Sequence, residues 1–119
     1  MKDLIEELPG LAKIRAKFIV LLGERQMTIA KHAIAAWDGQ TVAEVNGNLE
    51  AAQYVLHQIA GSAGSLGLAE FGKVAQACEE SIINHLEGPD SDLALCPEAI
   101  ASHLNRFVAE CQLLIDAPA

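Results

Sequence analysis

The sequence predicts an all-α fold, an antiparallel up-and-down four-helix bundle with a short extra N-terminal helix. Apolar residues recur at three- and four-residue steps through most of the chain, and no alternating strand pattern of useful length is present. Aromatic residues make up only 4% of the 119 residues, whereas strands draw on aromatic and β-branched side chains. Hydrophobic residues reach 51%, which excludes general disorder. Long amphipathic helices joined by short loops then pack most simply as one bundled domain over residues 1–119.

The first two helices are predicted over residues 3–8 and 11–37. The pair Pro9-Gly10 is expected to separate them, because both residues interrupt helices. Asp38-Gly39 is expected to end the long helix, with Gly39 in the left-handed conformation that often follows a helix. The apolar stripe of the long helix consists of Leu11, Ile14, Phe18, Leu21, Ile29, Ala33 and Ala36.

The third helix is predicted over residues 42–66. Thr41 and Glu44 form a T-x-x-E capping box, a pattern that satisfies free N–H groups in the first turn of a helix. Gly67 is expected to stop the helix. Its apolar stripe is the most regular in the chain and consists of Val42, Val45, Leu49, Ala52, Leu56, Ile59, Ala63 and Leu66.

The last two helices are predicted over residues 68–87 and 97–116. Gly88-Pro89 ends the first of them, and residues 90–96 form a polar connection. Pro97 is placed at the first helical position, where a missing N–H costs nothing.

Charge and hydropathy exclude several classes of partner. The net charge is −8, and eight scattered Lys and Arg residues supply no phosphate-binding face, so no nucleic acid partner is expected. The longest strongly apolar stretch, residues 18–22, is far shorter than a membrane span needs, so no membrane association is expected. Acidic residues near the N-terminus interrupt the apolar segment that a secretion signal needs, so no such signal is expected. The three cysteines are therefore expected to be buried and reduced. These features indicate a cytoplasmic protein, and so short a chain with a complete bundle is expected to be monomeric.

The third helix carries the candidate functional residue, His57. It follows Leu56 and therefore lies about 100° from the apolar stripe, at the solvent-exposed edge of the bundle. Two glycines within two turns of one helix face each cost about 1 kcal/mol relative to alanine. They bare the backbone and let a second macromolecule approach the imidazole, although small residues also serve close helix packing. The neighbours on this face are Glu50, Gln53 and Tyr54 on one side and Ala60, Gly61 and Gly64 on the other.

The segment from His57 to Leu68, HQIAGSAGSLGL, resembles the histidine-containing phosphotransfer (HPt) domains of two-component relays. Its match to the family pattern rests on His57, Ile59, Gly61, Ala63, Gly64, Leu66 and Gly67, and it is followed by Phe71, Val74 and Cys78-Glu79.

The resemblance implies a function for these residues. It makes His57 the phospho-acceptor, which takes a phosphoryl group from a receiver-domain aspartate and passes it to another. Glu79 aligns with the polar residue that orients the imidazole, and Gln53 is a further supporting residue. Tyr54, Gly61 and Gly64 would lie in the docking surface for receivers.

The resemblance also implies partners and a cofactor. The partners are response-regulator receiver domains, hybrid histidine kinases, or both. Mg²⁺ is expected on the receiver and no cofactor on this chain, which would have no kinase activity of its own.

One position departs from the family pattern. The family's lysine three residues after the histidine is Ala60 here, and Lys73 on the next helix is the nearest substitute. The missing lysine favours an alternative function, a binding module of the same fold that carries no phosphate and sequesters a receiver or a kinase. A helical metalloprotein or enzyme is the third possibility, but Cys78 and His85 have no second ligand pair beside them, so no metal is expected.

Overall fold

The protein is a bundle of four α-helices in the computed structural model, which describes residues 9–118. The helices are α1 (Pro9–Asp38), α2 (Val42–Ala63), α3 (Ala69–Leu86) and α4 (Glu98–Asp116). α1 packs against α2 and α4, and α3 packs against the same two helices, so the four form a closed square. No strand occurs within residues 9–118, and the predicted all-α bundle is confirmed. The helix predicted over residues 3–8 lies outside the described residues.

Both ends of α1 differ from the sequence prediction. Pro9 and Gly10 belong to α1, whose first described residue is Pro9, whereas the prediction starts this helix at residue 11. Proline is tolerated in a first turn, where its N–H would have no partner. Gly39 is not left-handed either. An added Cβ there would lie 2.9 Å from Val45 Cγ2, so the glycine allows the α1–α2 turn to close tightly.

α2 begins at the predicted cap and ends earlier than predicted. The Thr41 hydroxyl accepts the Glu44 N–H at 3.1 Å and also approaches the Glu44 carboxylate, to which it donates at 3.1 Å. The α-helix stops at Ala63, and a 3₁₀ turn, Gly64–Leu66, replaces the last turn predicted for it. Gly67 then has a φ of 77°, a conformation that favours glycine and ends the element.

The connection between α3 and α4 contains a second 3₁₀ turn, Pro89–Asp92. α4 begins at Glu98, one residue later than predicted, because Pro97 precedes the helix as its cap. The Pro97 carbonyl accepts the N–H groups of Ile100 and Ala101, each at 3.1 Å.

The core is formed by one stripe from each helix. On α2 the predicted stripe is buried from Val45 to Ala63, and Leu66 of the following turn is buried as well. Phe71 and Phe107 stack between α3 and α4 with ring centroids 5.3 Å apart. The fully buried residues include Leu22, Ile29, Val45, Leu49, Leu56, Ile59, Ile82, Leu104, Phe107 and Cys111.

Three residues of the predicted stripes lie at the surface instead. Val42, Ile14 and Leu21 are exposed, whereas Leu22 is fully buried. α1 has 30 residues and spans about 45 Å at 1.5 Å per residue, longer than its neighbours α2, with 22 residues, and α4, with 19. Its first turns therefore extend past its neighbours, and Ile14 in these turns is 51% exposed.

The three cysteines are free and buried, as predicted. Burial raises the pKa of the Cys78 and Cys111 thiols to about 12. These thiols therefore act as small hydrophobic groups. Among the described helices, none is both long enough and apolar enough to cross a membrane.

Candidate functional site

His57 stands at the surface of α2, near the middle of the bundle. Its sequence neighbour Leu56 and the nearby Ile59 are fully buried, whereas the His57 side chain is 71% exposed. The 100° step from the core stripe accounts for this position. The structure therefore places the imidazole where a large molecule can reach it.

A buried carboxylate on α3 holds one edge of the imidazole. Glu79 Oε2 lies 2.9 Å from His57 Nδ1, and the Glu79 side chain is only 9% exposed. An ionised carboxylate can only accept hydrogen bonds, so this contact favours the tautomer in which Nδ1 carries the hydrogen and donates a hydrogen bond to Glu79. The lone pair of the neutral ring is then on Nε2, which is the nitrogen of an attacking nucleophile.

Gln53 completes the polar cluster from the same helix as His57. Its Nε2 donates to Glu79 Oε2 at 2.6 Å, so one carboxylate oxygen accepts two hydrogen bonds from α2. Burying a carboxylate is costly unless its oxygens are hydrogen-bonded, and these two bonds offset part of that cost. Gln53 and His57 are four residues apart, which puts both on the α2 face that meets α3.

The small residues beside His57 divide into two groups. Gly61 and Gly64 are exposed, and an added Cβ at either would have no heavy atom within 4 Å. Ala60 is half-buried and packs against the core. The first two therefore bare the surface next to the imidazole, whereas Ala60 contributes to the α2–α3 contact.

The close approach of the two helices depends on a residue that the sequence reading did not single out, Gly72 of α3. It is buried, and an added Cβ would lie 3.3 Å from Ala63 Cβ and 3.7 Å from the Ala60 carbonyl oxygen. A glycine inside a predicted helix was the available signal, since it costs about 1 kcal/mol unless packing requires it. This contact brings Glu79 within reach of His57.

Of two further residues considered from the sequence, Tyr54 lies near the imidazole and Lys73 does not. Tyr54 lies one turn before His57 and is 63% exposed, at the rim of the same surface. Lys73 is not beside His57. Its amine lies 3.4 Å from Glu70 Oε1, and it lines a groove between α3 and α4 together with Arg106. Within residues 9–118, no Lys or Arg forms an ion pair with Glu79.

The geometry agrees with what the comparison with protein families finds. A model of the Hpt domain matches residues 13–117, nearly the whole chain. The protein is an Hpt domain. Searches of curated proteins and of solved structures find no match. Hpt domains serve histidine phosphotransfer in phosphorelays, where they interact with receiver domains and histidine kinases as phosphocarriers rather than kinases.

The other polar side chains of the described chain bear on two further expectations from the sequence. Within residues 9–118 there is no cluster of three or more His, Cys, Asp or Glu side chains that could hold a metal ion. His32 Nδ1 lies 2.8 Å from Asn48 Oδ1 across the α1–α2 contact, which makes it a hydrogen-bonded boundary residue.

Proposed function

We propose that this Hpt domain relays a phosphoryl group between receiver-domain aspartates through Nε2 of His57. The observation that carries the proposal is the hydrogen bond from Nδ1 to the buried Glu79, with the other ring nitrogen directed to an exposed surface. A nucleophilic nitrogen needs its partner nitrogen protonated and oriented, and a carboxylate that accepts the Nδ1–H favours that tautomer and holds the ring in place.

The step is a displacement at phosphorus. The Nε2 lone pair attacks the phosphorus of the receiver's aspartyl phosphate, so that an N–P bond forms while the P–O bond to aspartate breaks. The aspartate carboxylate leaves with the electron pair. The ring keeps its Nδ1 proton and becomes positively charged, and the Glu79 carboxylate 2.9 Å away stabilises that charge. Attack by a second receiver's aspartate on the phosphohistidine reverses these bond changes.

The exposed surface around His57 is the proposed docking site for the receiver. Tyr54, Gly61 and Gly64 are exposed and follow the same side of the chain as His57 at three- and four-residue steps, and the open space at both glycines allows a partner's backbone to come close. Ala60 offers no positive charge where the family carries a lysine. We expect Mg²⁺ bound by the receiver, together with the receiver's own cationic groups, to neutralise the transferred phosphoryl oxygens.

A phosphotransfer assay with matched receivers, charged with acetyl phosphate, tests the proposal. We expect the wild-type protein to accept label and His57→Gln to accept none, whereas His103→Gln, an exposed histidine on α4, behaves as wild type. Ala60→Lys is expected to prolong the lifetime of the phosphohistidine, because it adds a cation beside the phosphoryl group. Absence of label on the wild-type protein with every receiver of its own genome would contradict the proposal.

The second candidate is a binding module that sequesters a receiver or a kinase without carrying phosphate. The observation that favours it is Ala60, since no Lys or Arg within residues 9–118 forms an ion pair at the His57–Glu79 cluster. Tight receiver binding that His57→Gln leaves unchanged, together with an unlabelled wild-type protein, would support this alternative.

A further inference from the structure

The outer face of α1 carries an apolar stripe that has no partner within the bundle. Its residues follow one another at steps of four and three, the heptad pattern of a helix that packs lengthwise against another helix. Val20, Met27 and Ile34 are exposed by 76%, 73% and 64%, and their seven-residue spacing puts them in one continuous apolar patch. We call this set the outer stripe: Ala16, Val20, Gly23, Met27, Ala30, Ile34 and Trp37.

The outer stripe borders α4 and lies away from the phosphotransfer site. Ala30, Ile34 and Trp37 line one wall of a groove of about 250 Å³, and Ala101 and Val108 of α4 line the other. His57 is held by Glu79 at the α2–α3 edge of the square, on the opposite side of the bundle. A molecule seated on the outer stripe therefore leaves His57 free.

In each heptad, one charged residue comes directly after a residue of the outer stripe. Lys17, Glu24, Lys31 and Asp38 recur every seven residues on the flank of the stripe that faces away from α4, and their signs alternate. All four are exposed, and none forms an ion pair within residues 9–118. Charges at these positions of a heptad set the choice and the orientation of the partner helix.

We propose that the protein forms an antiparallel dimer in which the outer stripes of two copies pack against each other. With the helices reversed, Glu24 meets Lys31 of the second copy and Lys17 meets its Asp38, and the two-fold axis repeats both pairs. The same register places large residues against small ones in the seam. Met27 faces Ala30 of the second copy, Ile34 faces its Gly23, and Val20 faces its Trp37.

The alternating charges favour this partner over two others. In a parallel pair the charged flank of one helix faces the opposite flank of the other, which carries the uncharged Ile19, Gln26 and Ala33. An anionic membrane attracts a flank of uniform positive charge, and here Glu24 and Asp38 interrupt it. A second copy of the same helix satisfies all four charges. The dimer differs from the monomer expected from the sequence, because that expectation rested on the short chain and its complete bundle and did not consider the outer face of α1.

Sedimentation velocity of the full chain over a range of concentrations tests the proposal. We expect a dimer that dissociates on dilution, and Met27→Glu is expected to be monomeric because it places two carboxylates beside the two-fold axis. Lys31→Glu places an acidic side chain opposite Glu24 of the second copy, and the two-fold axis repeats this repulsive pair. The variant is expected to weaken dimerisation about tenfold or more. Glu24→Lys combined with Lys31→Glu exchanges the two charges and is expected to restore the wild-type affinity.

Arg106→Glu is the matched control, since it reverses a charge on α4 in the other groove and is expected to leave the dimer unchanged. Circular dichroism checks that every variant folds, and labelling of His57 by a charged receiver is measured in parallel. A wild-type protein that stays monomeric up to about 1 mM overturns the dimer, whether or not it binds acidic vesicles. If the double variant dimerises no more tightly than Lys31→Glu alone, the antiparallel register is overturned. Either result leaves the assignment of His57 untouched.

Discussion

Glu79→Gln removes the negative charge beneath His57 while preserving the size of the side chain. The glutamine carbonyl can still accept the Nδ1–H of His57, so the ring keeps its orientation. What is lost is the attraction between the carboxylate and the positive charge that the imidazole acquires when Nε2 is phosphorylated. The variant therefore separates the electrostatic contribution of Glu79 from its positioning of the ring.

The size of the effect follows from the geometry. The two atoms lie 2.9 Å apart, and water screens the pair mainly from the His57 side, because the His57 side chain is 71% exposed and the Glu79 side chain is 9% exposed. Two unit charges at that distance attract by about 1.4 kcal/mol at the dielectric constant of water, about 80, and by more where one partner is buried. Because the charge on the ring develops during transfer, we expect the transfer rate to fall by about tenfold or more.

A single-turnover assay from a labelled receiver measures that rate. Glu80→Gln is the matched control, because it removes the same charge from the next, exposed residue of α3. Thermal unfolding of both variants checks that the fold persists. A Glu79→Gln rate equal to wild type, or an equal loss in both variants, would refute the role assigned to the buried carboxylate.

Two further predictions concern stability. Gly61→Ala is expected to stabilise the protein by about 0.5–1 kcal/mol, because Gly61 is helical, exposed and surrounded by open space. Urea denaturation measures this difference, and a lower urea midpoint than that of the wild-type protein would show that the site does not tolerate a Cβ. Burial raises the pKa of Cys78 and Cys111 from 9.0 to about 12, so in the unfolded chain these thiols lose protons at a lower pH than in the folded one. Stability is therefore expected to fall as pH rises from about 9 towards 12. Cys111→Ala should flatten that decline, and an unchanged pH profile would contradict the explanation.

Local patterns predicted much of the fold. The α2 stripe from Val45 onward and the Thr41 cap are confirmed, and Gly67 ends the 3₁₀ turn that follows α2, because each of these features depends on residues within one or two turns of one another. Periodicity also predicted that His57 would lie outside the core, since its angle to Leu56 is fixed by the helix itself.

Features that depend on neighbouring helices were harder to predict. The exposure of Ile14 follows from α1 extending past its neighbours, and no stripe on α1 alone reveals that. The helical periodicity of α2 did not reveal the contact between Gly72 and Ala63, because it depends on how closely two helices approach. Glu79 was assigned only through the family pattern. Its hydrogen bonds with His57 and Gln53 join residues 22 and 26 positions apart, beyond the reach of periodicity.

The most direct test of the central claim is to identify which nitrogen carries the phosphoryl group. Nuclear magnetic resonance of the ¹⁵N-labelled protein, phosphorylated by a charged receiver, distinguishes phosphorus on Nε2 from phosphorus on Nδ1. Because Glu79 occupies the Nδ1 side of the ring, we expect the N–P bond at Nε2 of His57. Phosphorus on Nδ1, or on another histidine, would contradict the account.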